Sequence, residues 1–446
     1  MLVGKTHMRA DLAGMSRLGI DPQSQIGVRI AECGFDPYER DDGIHPYSGH
    51  DPDPSYSDYL RRNGFDGDNP WETWANSTED DDGTLRSGWF LKYSNRPARI
   101  PDEHSETPYI TRRAMDFIRE AGEQPWCLHL SYIKPHWPYI VPEPYASMYT
   151  ADDALPVVRS EIERENPHPV YAAMMDHRVS QTFSREGVRD AVMPGYMGLI
   201  KQIDDQMGVL FQFLEDQGLM DNTMIVFTAD HGDYLGDHWM GEKDLFHEPV
   251  IKAPLIVYDP DPRADATRGT RCQALVEAVD IAPTFLDVYG GPAVPHVMDG
   301  RSLRPLLFGQ APADWRTVWP RVEAKFPISH DGHRRNLRLE HHRAEVAADA
   351  DRDVLPLHQQ GRVHANVVLH LGRCVRRIIG RREYGQDLVA DLREDREAVE
   401  QVIAIRAPPD DAQEEIDLGG CRLAADGHAG RAKGSSTVAA AWAAIP

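Results

Sequence analysis

The feature that most constrains the fold of this chain is a long amphipathic segment followed by a continuous apolar one. From about Pro194 to Asp216, apolar side chains recur at the spacing of a single helix face. After a turn at Asp221 and Asn222, the run TMIVFTAD is typical of a strand covered on both faces of a sheet. A long helix that leads into a buried strand favours a sheet packed between layers of helices.

Other segments repeat this alternation. After Ser105 the segment SETPYITRRAMDFIREAG has helical spacing, and the short apolar run PWCLHLSYI follows it as a strand. The run APLIVYDP predicts a second buried strand, and QALVEAVDIAPTFLDVYG predicts a helix that ends at Gly290. The sequence therefore predicts an α/β fold with a mostly parallel sheet sandwiched by helices. Ligands bind such sheets at the carboxyl ends of the strands.

Composition excludes several classes of protein. The chain has 446 residues with 71 acidic and 48 basic side chains, a formal net charge of −23. We expect no nucleic-acid partner, because phosphate binding needs clustered Lys and Arg. We expect no membrane partner either, because no run approaches the roughly 18 apolar residues of a spanning helix. The first residues lack the apolar core of a secretion signal, which favours a cytoplasmic protein.

The chain divides into two parts by composition. After about Phe326, lysine is absent except for Lys433 and phenylalanine disappears, while Arg, His and Ala are frequent. Few large aromatic residues remain there to build a core. We expect residues 1–325 to form the α/β core. We expect residues 326–446 to be an atypical tail, either read from a shifted frame or poorly ordered.

The residues most suited to chemistry follow the strand TMIVF. Asp230 and His231 stand at its carboxyl end, and a neighbouring carboxylate and imidazole suit one divalent ion. Lys243 follows in the motif G-E-K, where an ammonium group suits an anionic ester oxygen. A hydrogen-bonded turn is the alternative reading for Asp230 and His231.

Two further motifs carry polar candidates. His136 lies in Lys-Pro-His-Trp-Pro directly after the predicted strand CLHLSYI, and the two prolines restrict its backbone. A surface corner of prolines and aromatic residues is the alternative interpretation. Lys5 and His7 belong to the motif G-K-T-H near the start of the sequence, which is uninformative by itself.

Taken in order, these motifs resemble the sulfatase branch of the alkaline phosphatase superfamily, which includes phosphonate monoester hydrolases. The order is G-K-x-H, K-P-H-x-P, D-H-G-D and G-E-K, followed by the phrases DIAPTFLDVYG and MDGRSLRPLLFG. The resemblance covers roughly residues 1–320. It implies an alkaline-phosphatase-like fold and a small-molecule sulfate, phosphonate or phosphate ester as substrate.

The resemblance also implies roles for individual residues. Asp230 and His231 correspond to ligands of one divalent metal ion, for which calcium, manganese, zinc and magnesium all remain open. The cations that bind the non-bridging oxygens of the ester correspond to Lys5 and Lys243. The histidines that handle protons at the nucleophile and the leaving group correspond to His7 and His136.

The sequence departs from the family pattern in one respect. Relatives carry a first strand with metal-binding aspartates, and then a Cys or Ser that becomes the formylglycine nucleophile, both before G-K-x-H. This sequence begins immediately before that motif, so we expect the first strand and the nucleophile to be missing. The leading hypothesis is a sulfatase-type hydrolase. A phosphonate monoester or phosphodiester hydrolase and an inactive remnant that binds metal or anion stay open, as does self-association.

Overall fold

We describe the fold from a computed structural model of the chain. The structure describes residues 1–6, 10–41, 55–292 and 295–315, together with the backbone of 401–406. The predicted site residue His7 lies outside these residues. So does the predicted tail, apart from its one strand.

Regular elements alternate along most of the described chain. The strands are β1 (Leu2–Gly4), β2 (Pro37–Arg40), β3 (Ser77–Glu79), β4 (Leu85–Ser87), β5 (Trp126–Ser131), β6 (Thr223–Thr228), β7 (Leu255–Tyr258) and β8 (Gln401–Arg406). The α-helices are α1 (Leu12–Arg17), α2 (Gln25–Ala31), α3 (Ser55–Arg62), α4 (Glu106–Ala121), α5 (Pro169–Met175), α6 (Arg178–Phe183), α7 (Val188–Asp216), α8 (Glu248–Ile251), α9 (Ile281–Val288) and α10 (Arg304–Leu307).

Six strands form one sheet in the order β2-β1-β5-β8-β6-β7. Strand β1 is parallel to both β2 and β5. Because β5 and β6 are each antiparallel to β8, they run in the same direction as each other. Four of the six strands therefore share one direction, and β7 and β8 oppose them. The predicted α/β fold is confirmed.

Alternate residues of β6 show that both faces of the sheet are covered. Ile225 and Phe227 point into a core formed with α4 and α7. Met224 and Val226 point to the opposite face, where Ile281 of α9 packs against them. Strand side chains alternate between faces, so this division is what a sheet sandwiched by helices requires. Burial of each such side chain contributes about 1.5–3 kcal/mol of stability relative to exposure.

Two predicted elements differ from the structure in extent or burial. The helix predicted from about Pro194 begins at Val188, and Pro194 lies inside it. A proline inside a helix removes one backbone hydrogen bond and crowds the carbonyl four residues earlier, but here the buried neighbours Val192 and Met193 anchor the first turns. The run APLIVYDP was predicted to be a strand of a sheet covered on both faces, and its side chains do pack on both: Ile256 and Tyr258 on one face, Leu255 and Val257 on the other. It forms β7, a half-buried edge strand antiparallel to β6.

Strand β8 comes from the region predicted to be an atypical tail. It lies between β5 and β6 and pairs with both along its full length. The boundary at residue 325 and the order of the remaining tail stay predictions, because the rest of that region lies outside the described residues. None of the helices in the described parts of the chain has the length and apolarity needed to span a membrane.

Candidate active site

The predicted site residues meet at one edge of the sheet. Strands β1, β5 and β6 run in one direction, so Lys5, the His136 segment and Asp230 all follow carboxyl ends at the same edge. The backbone N–H of Lys5 donates to the Ser131 carbonyl at 3.1 Å, which ties the ends of β1 and β5 together. Gly4 has a φ of +108°, and a Cβ atom there would collide with the Ser131 carbonyl oxygen. The G of G-K-T-H is thus required by this close approach.

His136 lies in a tight turn after β5, between Pro135 and Trp137. Its backbone N–H donates to the Ile133 carbonyl at 3.1 Å. Its ring Nδ1 donates to the Trp137 carbonyl at 2.7 Å, which leaves Nε2 as an acceptor. Lys243 Nζ donates to that Nε2 at 2.9 Å. The two motifs that were far apart in sequence are therefore in direct contact.

Electrostatics keep His136 neutral. Burial, followed by the charges of Lys5 and Lys243, lowers the pKa of His136 to about 3. The same two lysines, after burial, lower the pKa of His231, although Asp230 partly offsets them. The rings of His136 and His231 pack edge to face, with centroids 6.4 Å apart. The structure thus brings together Lys5, His136, His231 and Lys243.

We call the space between these groups the edge cleft. It is lined by Pro135, His136, Trp137, Tyr139, Tyr196, His231, Gly232, Asp233, Glu242 and Lys243. The lining combines charged and polar groups with the aromatic rings of Trp137, Tyr139 and Tyr196. A pocket that combines an ammonium group with aromatic surface is typical of a site for an anionic group.

The segment that carries Lys243 is held in an unusual conformation. Its two neighbours, Glu242 and Asp244, have φ values of +59° and +93°. The left-handed region is unfavourable for such residues, so surrounding contacts must fix it. Gly241 supplies one of them, because it packs directly against the ring of Phe183 and donates to Ser180 Oγ at 3.3 Å. Sequence spacing alone gave no sign of this conformation.

Asp230 and His231 were predicted as metal ligands. Asp230 Oδ2 and His231 Nε2 are 3.6 Å apart, a separation that two ligands of one ion can adopt. His231 Nδ1 donates to the Gly232 carbonyl at 2.8 Å, which fixes the ring and leaves Nε2 for an ion. Within the described ranges, no group of three or more His, Cys, Asp or Glu side chains could hold a metal. Asp230 and His231 supply two donors, fewer than the four or more ligands that a protein-bound divalent ion takes.

Sequence reasoning missed two groups at the cleft. Asp233 accepts a hydrogen bond from the hydroxyl of Tyr139 and another from the Leu235 N–H at 3.0 Å. Burial raises the pKa of Asp233 to about 6. The second Asp of D-H-G-D was the available signal. Lys134, the first residue of K-P-H-W-P, is buried beneath the turn, with only 6% of its surface exposed.

Comparisons with known proteins identify relatives of this chain. A family model described as Sulfatase matches residues 36–291, more than half of the chain. The multifunctional alkaline phosphatase superfamily protein PehA of Trinickia caryophylli is 35% identical over 240 residues, which cover 50% of this chain and 45% of that protein. The arylsulfatase of Clostridium perfringens is 27% identical over 215 residues, covering 48% and 44% respectively. The chain thus spans about half the length of the curated relatives it matches.

Solved structures show the same likeness. A phosphonate monoester hydrolase of Silicibacter pomeroyi superposes with a TM-score of 0.58 at 27% identity, covering 71% of this chain and 60% of that one. The phosphonate monoester hydrolase of Agrobacterium radiobacter gives a TM-score of 0.55 at 26% identity with the same coverage. These matches agree with the predicted alkaline-phosphatase-like architecture. Because the family model spans more than half of the chain and the ordered motifs meet at one sheet edge, the chain belongs to the sulfatase family.

Proposed function

We propose that this chain is an ester hydrolase of the sulfatase type that cleaves sulfate monoesters in the edge cleft. The observation that carries the proposal is the 2.9 Å contact between Lys243 Nζ and His136 Nε2, with Lys5 acting on both His136 and His231. An ammonium group suited to an anion and a neutral imidazole are therefore in direct contact at the cleft. Cleavage of a sulfate ester requires both, because charge develops on the sulfuryl oxygens and on the leaving oxygen.

The lysines supply the binding of the anion. Lys5 follows β1 and Lys243 lines the edge cleft, and both charges lower the pKa of His136, so an ester beside His136 would face two ammonium groups. The shared influence of both lysines on His136 and His231 supports this arrangement. Preorganised charges of this kind stabilise a transition state because they need no reorientation during the reaction.

His136 supplies the handling of a proton. It is neutral near pH 7, its Nδ1 is committed to the Trp137 carbonyl, and its Nε2 faces the cleft. An ester that attracts Lys243 frees Nε2 to accept a proton from a hydroxyl group or to return it to the leaving oxygen. Such a role depends on the ring being held in one tautomer.

A divalent ion is part of the proposal through Asp230 and His231. These two residues would hold it, and it would supply Lewis-acid stabilisation of the ester oxygens. The formylglycine nucleophile implied by the resemblance is assigned to no described residue. The steps derived above therefore concern only binding and proton transfer.

A phosphonate monoester hydrolase is the second candidate. Two solved phosphonate monoester hydrolases superpose on this chain with TM-scores of 0.58 and 0.55. A phosphonate monoester carries the same kind of charged, non-bridging oxygens, so the same two lysines suit it. The third alternative is a remnant that binds anions without turning them over, since loss of a covalent nucleophile removes most of the rate acceleration.

Parallel assays separate the three alternatives. The 446-residue chain would be supplied in turn with calcium, manganese, zinc and magnesium and tested on para-nitrophenyl sulfate and para-nitrophenyl phenylphosphonate. Inorganic sulfate binding would be measured by calorimetry on the same samples. Lys243→Met is the test variant, and Lys92→Met, on an exposed lysine, is the matched control.

Each outcome has a distinct meaning. The proposal is supported if the chain turns over the sulfate ester faster than the phosphonate ester and if Lys243→Met loses this activity. Faster turnover of the phosphonate ester supports the second candidate. Sulfate binding without turnover supports the remnant, and neither binding nor turnover contradicts all three.

A further inference from the structure

Lys134 is a buried charge that the proposed function does not use. It lies directly behind the edge cleft, two residues before His136, with 6% of its surface exposed. Its Nζ donates to the carbonyl oxygen of Pro138 at 2.9 Å. That bond spans the whole turn from Lys134 to Pro138 and closes it around His136. A lysine rarely occupies such a position unless its charge is compensated.

Two carboxylates compensate this charge. Burial lowers the pKa of Lys134, while Glu106 and Asp41 act in the opposite direction. Glu106, the first residue of α4, is itself buried and accepts a bond from Trp71 Nε1 at 2.6 Å. Asp41 follows the carboxyl end of β2, at the same sheet edge as the cleft. The three charges come from three separate elements, so the folded structure is needed to bring them together.

The bond from Lys134 acts next to the peptide group that orients the His136 ring. The ring of His136 is oriented by its bond to the Trp137 carbonyl, and Trp137 lies inside the span that Lys134 closes. Without Lys134, the Pro138 carbonyl would keep its bond from the Ile140 N–H at 3.0 Å but would lose the bond that spans the turn. The Trp137 peptide could then rotate and move the carbonyl that accepts from Nδ1. The direction of Nε2 towards Lys243 depends on that acceptor.

We propose that Lys134 is a positioning residue, which closes the turn around His136 and so holds the ring in the tautomer that faces the cleft, with Glu106 and Asp41 as its counter-charges. This inference rests on the proposed function only in assigning His136 a role towards the ester. The geometry it describes exists in the resting protein. It can therefore be tested without turnover.

The test compares Lys134→Met with the control Lys92→Met in the full chain. Methionine keeps the length of the side chain but removes its donor and its charge. The tautomer of His136 would be read from ring ¹⁵N shifts in histidine-labelled protein, with His136→Asn used for assignment. Inorganic sulfate binding would be measured on the same samples. We expect Lys134→Met to show mixed tautomers and about tenfold weaker sulfate binding.

Two more variants keep the proposal falsifiable. Lys134→Arg retains a charged donor, and we expect it to restore most of the single Nδ1-protonated tautomer. Should Lys134→Met fail to fold, Glu106→Gln is the readout, since the amide oxygen can still accept from Trp71 while the counter-charge is gone. A smaller shift in the same direction supports the proposal.

A folded Lys134→Met with the wild-type tautomer and wild-type sulfate affinity would overturn the inference. The inference would also be overturned if Lys134→Met lowered only the thermal stability, or if Glu106→Gln left the ring ¹⁵N shifts of His136 unchanged. If the wild-type chain neither binds sulfate nor hydrolyses esters but Lys134→Met still mixes the tautomers, the proposed function fails while the positioning role stands.

Discussion

His136 and Lys243 meet across the edge cleft, yet the segments that carry them are held by different means. His136 stands in a short turn restricted by flanking prolines and closed by the buried Lys134. Lys243 stands in a segment whose neighbouring residues, Glu242 and Asp244, have left-handed backbone conformations. The first segment is fixed mainly by its own sequence, and the second by contacts with other elements. One segment of a site can thus be fixed by its own sequence, whereas the segment facing it is fixed by contacts with distant elements.

The largest effect on turnover is expected when the charge of Lys243 is removed. Lys243→Met should lower turnover of the preferred ester by about 100-fold or more, because it removes a charge aimed at the developing negative oxygens. His136→Gln should reduce kcat more than it reduces sulfate affinity, since it removes a proton acceptor and not a cation. Steady-state kinetics and sulfate calorimetry check both. Equal losses of sulfate affinity in the two variants would contradict the division of roles.

Metal binding tests Asp230 and His231, which follow β6 and belong to neither the His136 segment nor the Lys243 segment. We expect Asp230→Asn and His231→Ala each to weaken binding of the preferred divalent ion by about tenfold or more, because each removes one ligand. Calorimetry with the four candidate ions would measure this. Asp221→Asn, on an exposed turn residue, is the control and should bind metal normally. Unchanged metal affinity in both test variants would remove Asp230 and His231 from the proposed shell.

A larger side chain at Gly241 would disturb the Lys243 segment and leave the His136 segment unchanged. Gly241→Ala places a methyl group against the buried ring of Phe183, so it should lower the free energy of unfolding by about 1–3 kcal/mol. It should also weaken sulfate binding, because Lys243 lies two residues away. Chemical denaturation measures the first effect. The double variant Gly241→Ala with Phe183→Leu should recover part of the loss, and no recovery would mean that the crowding is not at Phe183.

The smallest effects are expected in the pH dependence of stability. The pKa of His136 is lowered to about 3, below its ordinary unfolded value, so the unfolded state binds more protons between those values. Its contribution to stability is therefore lost as pH falls from about 6.5 towards 3. His136→Gln should flatten the unfolding curve in that window. A steeper curve in the variant would contradict this sign.

Asp233 should show the opposite slope. Its pKa is raised to about 6, so its protonated form favours the folded state at low pH. That contribution is lost as pH rises from about 4 through 6. Asp233→Asn should flatten this second slope, and denaturation at a series of pH values would measure it. An unchanged slope would mean that the Asp233 carboxyl titrates normally.

Much of the site could be predicted because its residues follow strand ends. Strands β5 and β6 are encoded by local apolar runs, and parallel strands end at one edge, so His136, Asp230 and His231 were expected to be near one another. The place of Asp233 beside Tyr139 was not predicted, although Asp233 ends the motif D-H-G-D and Tyr139 directly follows K-P-H-W-P. Hydrogen bonds between distant segments have no periodic signal in a sequence.

The fold shows the same division. Segment periodicity predicted α4, α7, β5 and β6, because burial on one or both faces repeats at the spacing of a helix or strand. It did not predict that β7 runs antiparallel at an edge or that β8 lies between β5 and β6. Strand direction and neighbour depend on pairing between residues far apart in the chain.

The sequence by itself determined the types of group in the site, the strand ends that present several of them, and the proline-bounded turn of His136. Only the tertiary structure decided that Lys243 reaches His136, that Glu106 and Asp41 balance Lys134, and that Gly241 packs on Phe183. The physical reason is the distance along the sequence over which each interaction acts. Backbone propensity and burial patterns act over a few residues, whereas charge compensation and close packing join elements that the sequence keeps far apart.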